Sequence, residues 1–297
     1  MRRKSVNLLL TASLVASTLP VSVVAAAERD LVISVLDQKK QPVEDLTPAD
    51  LVVREDGVAR EVLRVRKATS PLTIALLVDD SAAASPAVSD MRLGLVAFLD
   101  ALDPKAEVAL ITFGERSTLI VDYTRDRERL KKGVLRTFAR RGSGAYFLEA
   151  MNDVSRGLTK RAPERPVIVS VMTEGVEFST LAHQMVLSRL YQSGAQFYAL
   201  VLGAQVQANP TQEEIRNRNV VLDEGTRGTG GRREQLLSSI AIGGALKDIA
   251  NELQHQWVMT YSRPESLIPP DRVQVVAKRA GLTVRARTRI EPAKVTK

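Results

Sequence analysis

Residues 71–81 read Pro-Leu-Thr-Ile-Ala-Leu-Leu-Val-Asp-Asp-Ser, an apolar run that stops on two carboxylates and a hydroxyl. A strand covered on both faces carries uninterrupted Ile, Leu and Val, whereas a strand with one wet face alternates. The run therefore reads as a buried strand of a parallel sheet flanked by helices, with Asp79 and Ser81 delivered to the sheet's rim. In open sheets of this kind ligands sit beyond the carboxyl ends of the strands, where the strand order reverses.

Downstream, strand and helix patterns alternate, which predicts an α/β fold with a doubly wound, mostly parallel sheet. Residues 89–102 form an amphipathic helix through Met91, Leu93, Leu95, Phe98 and Leu102. Strands are expected over 107–113 and 117–123, a basic helix over 127–138, and a helix over 145–158 with Phe147, Leu148, Met151 and Val154 inward. A second buried run, 166–172, ends on Thr173-Glu174-Gly175; a helix over 181–191 and a parallel strand over 196–202 follow. Residues 205–233 are polar and Gly-rich and read as a mobile loop. Within them Gly228-Thr-Gly-Gly-Arg232 lacks the lysine and spacing of a phosphate-binding loop. A helical period over 236–253 and a strand over 257–261 complete the sheet.

The two ends of the chain carry a different pattern. Residues 31–36 alternate, 51–55 run into Asp56-Gly57, and 58–65 return, which is a hairpin signal. Near the other terminus, 271–277 and 282–287 alternate again around Gly281. Such short antiparallel pieces are not stable alone, so the N- and C-terminal strands are expected to pair into one small β domain. The organisation is then 1–27, 28–68, 69–262 and 263–297: leader, first β segment, α/β domain and second β segment.

Met1–Lys4 carry three basic residues, 6–24 are almost wholly apolar, and Ala25-Ala26-Ala27 offers the small residues a signal peptidase reads. Cleavage is expected after Ala27, giving an exported protein, periplasmic or extracellular. No later segment reads as long and apolar enough to cross a membrane. The chain has no cysteine, so neither a disulfide framework nor a thiolate metal site is available. Its formal charge is +8, and removing Arg2, Arg3 and Lys4 takes three from that total and leaves +5. The basic residues at 131–141 and 160–165 read as a solvated helix face; without aromatic interleaving, and in an exported chain, they do not suggest nucleic-acid binding.

Asp79-x-Ser81 at a strand end, Gly144-Ala-Tyr-Phe-Leu-Glu149 opening a helix, and Thr173-Glu174-Gly175 after a second buried strand together resemble the von Willebrand factor A fold, over about residues 71–203. The flanks, Pro42-Val-x-x-Leu-Thr-x-x-Asp50-Leu-x-Val-x-Glu-Asp-Gly57 and Arg279-Ala-Gly-Leu-Thr-Val-Arg-Ala-Arg287, resemble exported acidobacterial von Willebrand factor A-related proteins. The resemblance implies a divalent cation, Mg²⁺ or another, held at the rim by an Asp-x-Ser-x-Ser motif, a threonine and an aspartate. Here Asp79 and Ser81 match the first two positions, while Ala83, Ala145 and Glu174 fall on the others. Two hydroxyl ligands are therefore absent, and adjacent strand residues face opposite ways, so Asp80 points away from Asp79. The expected cofactor is none, with Asp79, Ser81 and Glu174 as the metal ligands if a site is retained.

A partner-binding rim of Asp79, Asp80, Ser81, Ala83, Gly144, Ala145 and Glu174 is expected, with a protein as the partner and no catalysis. The competing reading is a hydrolase built on Ser81 with His183 or His255, or on Asp79, Asp80 and Glu174 as glycosidase carboxylates. No Gly-x-Ser-x-Gly elbow surrounds any serine, and aromatic residues make up 4% of the chain with one Trp, too few for a sugar-binding platform.

Overall fold

The computed structural model describes residues 26–203, 213–265 and 268–289. The expected leader lies, up to residue 25, outside the described residues. Described chain begins in β1, Ala26–Leu36, so cleavage after Ala27 would trim two residues from that strand.

The apolar run at residues 71–81 forms β5, Leu72–Val78, and every residue of that strand is buried. It follows β2 (Leu51–Glu55), β3 (Val58–Arg60) and β4 (Val62–Lys67), and leads through a short 3₁₀ turn into α1, Val88–Ala101. The chain then forms β6 (Glu107–Thr112), β7 (Thr118–Thr124), α2 (Arg127–Leu135), α3 (Phe147–Arg161), β8 (Arg165–Thr173), α4 (His183–Gln192) and β9 (Gln196–Leu202). After α5 (Glu213–Val220) and α6 (Thr226–Thr229) come β10 (Arg233–Leu236), α7 (Ile242–Gln254), β11 (Trp257–Pro264), β12 (Val273–Ala277) and β13 (Thr283–Ala286).

The main sheet has six strands in the order β10-β9-β8-β5-β6-β7. All neighbours are parallel except β6 and β7. Strand alternation divides β5 between two cores. Ile74, Leu76 and Val78 pack with Met91, Leu95 and Phe98 of α1 and Leu246 and Ile249 of α7. Ala75 and Leu77 face Phe147 and Met151 of α3 and Val186 and Leu190 of α4. Each such aliphatic side chain contributes roughly 1.5–3 kcal/mol when buried, which explains why the run shows no polar interruption. The chain leaves β5 for β6 on one side and returns to β8 on the other, so the switch point lies between β5 and β8.

The terminal strands do pair, but into two small antiparallel sheets, β13-β1-β11-β4 and β12-β2-β3. Leu31, Ile33 and Val35 of β1, Val53 of β2, Met259 and Tyr261 of β11 and Val273 of β12 share one core. The strand expected at 257–261 is therefore not the last strand of the main sheet. It pairs with β1 and β4 in the small one, and the outer parallel strand is β10, within residues read as the tail of a loop and the start of a helix. Arg165, at the amino end of β8, fastens the two parts. It donates to Ala68 O (3.2 Å), Ser70 O (2.8 Å), Leu253 O (2.8 Å) and Gln256 Oε1 (2.9 Å). The β part thus sits at the end of the main sheet opposite the rim.

Two further expectations are corrected. Among the described residues of the 205–233 stretch, α5 continues through a π-helical turn, Val221–Gly225, into α6. Val221, Leu222, Gly225, Thr226 and Thr229 are buried, and Thr229 Oγ1 accepts from Phe197 N at 2.9 Å. The buried face is partly Gly and Thr, which is why hydropathy alone missed it. By length and composition one helical stretch among the described residues, Ala82–Ala101, is apolar enough to cross a membrane, with a mean hydropathy of 1.2. That apolarity is spent on the core, where Met91, Leu95, Phe98 and Leu99 are buried.

Candidate functional site

The rim is built outward from Asp79, which is 1% exposed. Its Oδ1 accepts from Ser81 N (2.8 Å), and Oδ2 accepts from Thr173 N (3.0 Å) and Thr173 Oγ1 (2.6 Å). The carboxylate therefore stitches β5 to β8 across the switch point, with both oxygens engaged. Ser81, also buried, stands at the N-cap position of the 3₁₀ turn Ala82–Ala87, and its side chain makes no capping bond.

Asp80 takes the opposite direction, as alternation predicts, yet it is not solvated: it is 3% exposed. Its Oδ1 accepts from Gly114 N (2.6 Å) and Oδ2 from Arg140 Nε (2.8 Å), while its carbonyl accepts from Arg140 N (2.8 Å). A Cβ at Gly114 would stand 2.6 Å from the Asp80 backbone and from Oδ1, so only glycine lets the loop after β6 approach the carboxylate. Arg140 comes from the cluster read as a solvated face; one of its arginines instead locks a rim aspartate.

The remaining predicted rim residues lie around the same strand ends. Ala83 is exposed, and its methyl lies against Gly175, where a Cβ would come within 2.5 Å of it. Ala145 is buried and bridges to the next loop, donating to Val176 O (2.8 Å) and accepting from Phe178 N (2.8 Å). At Gly144 a Cβ would stand 2.5 Å from the Phe178 ring. Glu174 turns toward β10, where its Oε1 accepts from Gln235 Nε2 at 3.2 Å and lies 4.0 Å from Arg233.

Three residues not singled out in the sequence complete the site. Glu177 is 2% exposed, and its Oε1 accepts from Phe147 N (2.9 Å) and from the Ser179 hydroxyl. Ser179 Oγ in turn accepts from Leu148 N at 3.0 Å. The loop after β8 thereby satisfies the N-terminus of α3, whose own N-cap, Tyr146, offers no capping bond. Glu177 Oε2 has no hydrogen-bond partner and faces Arg218 Nη1 at 4.0 Å. Burial pushes the Glu177 carboxyl up to about 7, against the Ser179 hydroxyl and the Arg218 charge. Arg218 is 4% exposed and donates to Gly175 O at 3.0 Å. Burial lowers its pKa, while Glu177, Glu174 and Asp79 all act to hold the charge. A fixed guanidinium thus stands among the rim's acids. It lies on α5, inside the stretch that lacked a hydropathy signal.

Neither histidine is hydrogen-bonded to a serine among the described residues. His183 Nδ1 pairs with Asn217 Oδ1 at 2.7 Å, and His255 Nδ1 with Asn251 O at 2.7 Å. No group of three or more His, Cys, Asp or Glu side chains with metal-holding spacing occurs among the described residues.

No protein-family model and no curated protein sequence matches the chain. Among solved structures, a von Willebrand factor type A protein from Catenulispora acidiphila superposes with a TM-score of 0.51 at 11% identity, covering 88% of this chain and 73% of that one. The vWF domain of the type V pili tip protein Mfa5 from Porphyromonas gingivalis gives a TM-score of 0.49 at 9% identity, covering 63% and 96%. BatB from Bacteroides thetaiotaomicron gives 0.46 at 16%, covering 62% and 99%. The six-stranded, mostly parallel sheet, its helices on both faces and the first of these superpositions together give the chain a von Willebrand factor A-like fold.

Proposed function

We propose that the chain is an exported, non-catalytic protein-interaction module whose partner docks on the carboxyl rim of the main sheet without a tightly bound metal. The observation that carries this reading is the apolar surface displayed there. Val176 and Phe178, on the loop after β8, are 51% and 47% exposed, and Leu237 and Ile240, just beyond β10, are 84% and 83% exposed. Exposed large apolar side chains gathered at one end of a domain mark interaction sites. The Phe178 ring also rests on Tyr146, with centroids 6.0 Å apart, so the surface is ordered before a partner arrives.

The donor set argues for docking without a cation. Mg²⁺ requires about six oxygen ligands in near-octahedral geometry. Here both Asp79 oxygens already accept from Ser81 and Thr173, two positions carry methyl groups, and Arg218 brings a positive charge to the same acids. Export rests on the leader-like N-terminus, and a place beside the acidobacterial von Willebrand factor A-related proteins rests on the flanking motifs. The non-catalytic assignment rests on the partners of the two histidines among the described residues, Asn217 for His183 and the Asn251 carbonyl for His255.

Calorimetry of the mature protein with Mg²⁺, Mn²⁺ and Ca²⁺ tests the metal arm: no binding tighter than about 1 mM is expected, and micromolar binding lost in Asp79→Ala overturns it. Partners recovered from the exported fraction should be lost with Val176→Asp/Phe178→Asp. Activity in an esterase, protease or glycosidase panel that disappears with Ser81→Ala refutes the non-catalytic assignment.

A further inference from the structure

A cleft of about 760 Å³ opens between the turn joining α6 to β10 and the strands β12 and β13. It lies where the α/β part meets the β part, a usual setting for small-molecule sites, and its volume is within the range of such sites, roughly 300–1,000 Å³. Five arginines line it, Arg227, Arg232, Arg233, Arg272 and Arg285, against a single lining acid, Asp223. Val275, Val284 and Ala286 supply an apolar floor.

The guanidiniums divide into two sets. Arg285 and Arg232 are anchored by buried Glu252, at 2.9 and 3.7 Å, Arg232 also by Glu234 at 3.1 Å, and Arg233 by Asp223 at 3.0 Å and Glu174 at 4.0 Å. The Nε–H groups of Arg232 and Arg233 are nevertheless buried and donate to no acceptor. Arg227 and Arg272 have no carboxylate within ion-pair distance among the described residues; Arg227 Nε donates only to the Asp223 carbonyl, at 3.1 Å. Gly230 and Gly231 cannot form an amide cradle, because their N–H groups donate to Arg227 O (3.4 Å) and Thr226 O (3.0 Å) within the turn. Recognition in this cleft falls to side chains. Guanidinium forks clustered against an apolar wall focus positive potential and match oxyanions bidentately.

The geometry points to an anion-binding cleft for a small molecule carrying two or more phosphate or carboxylate groups. The anchored arginines give it fixed donors, and Arg227 and Arg272 supply charge that no carboxylate among the described residues pairs with. The test is calorimetry of the mature protein with two probes, pyrophosphate and citrate, in about 0.05 M and about 0.5 M salt. At least one probe should bind saturably, more weakly in high salt, and about tenfold or more weakly to Arg227→Gln/Arg272→Gln. Both positions are exposed and make no ion pair among the described residues, so the variant should keep the parent's melting temperature; Arg272→Lys, which keeps the charge and loses the fork, should fall between the two. Tighter pyrophosphate binding assigns the phosphate class, and tighter citrate binding the carboxylate class. If neither probe saturates by about 10 mM, or if the double variant binds as the parent does, the inference fails.

Discussion

Glu177→Gln isolates the electrostatics of the rim in one atom exchange. Free in an unfolded chain the carboxyl titrates near 4.5, and in the folded protein burial pushes it up to about 7. Between those pH values the folded state holds a proton that the unfolded state has released, so stability falls as pH rises through the window and is level above it. A pKa unit corresponds to 1.36 kcal/mol, which makes the total fall about 3 kcal/mol, an upper figure because Arg218, 4.0 Å away, relaxes to meet the charge. The amide keeps an oxygen for Phe147 N and Ser179 and has nothing to ionise. Urea unfolding from pH 4.5 to 8 should therefore show the parent losing stability on the alkaline side while Glu177→Gln stays flat and ends the more stable. The carboxyls held low by ion pairs, Glu28, Glu44 and Asp45, are exposed and act below this window. A variant that follows the parent's slope assigns the titration to other groups. A variant several kcal/mol less stable at pH 8 would mean that the ionised Glu177–Arg218 pair outweighs its desolvation, and the reasoning would be refuted.

Arg165→Met strips donors from three buried acceptors and one part-buried acceptor at the junction of the two parts and should cost about 3 kcal/mol or more, read as a drop in the urea midpoint. At the switch point, Asp79→Ala and Thr173→Val should each destabilise by about 1–3 kcal/mol. Their double variant should lose less than the sum, because the two share one bond, and a double-mutant cycle measures the difference. Gly231→Ala would place a Cβ 1.9 Å from Phe197 O, so the turn joining α6 to β10 must move away from β9 and the melting temperature fall. Gly157→Ala, on the exposed face of α3 with nothing within 4 Å, should raise stability by about 0.5–1 kcal/mol.

The sequence by itself carried the doubly wound sheet, because a strand buried on both faces needs an unbroken apolar run and a helix on a core needs its 3.6-residue period. It also placed Asp79 and Ser81 at a strand end, since the run stops there. What surrounds those residues was decided only by tertiary contact. Thr173 engages Asp79 from 94 positions away and Arg140 engages Asp80 from 60, and no local pattern encodes such pairs. Glu177 and Arg218 carry no hydropathy signal, because one lies in a loop and the other on a short helix whose continuation buries glycine and threonine. Trp257–Pro264 could pair with either sheet by propensity alone; β1 and β4 offered free edges, and β10 had already taken the outer place on the main one. The rim therefore keeps the position that its strand dictates, while its chemistry, two engaged aspartates and an internal guanidinium, follows from contacts that only the folded chain creates.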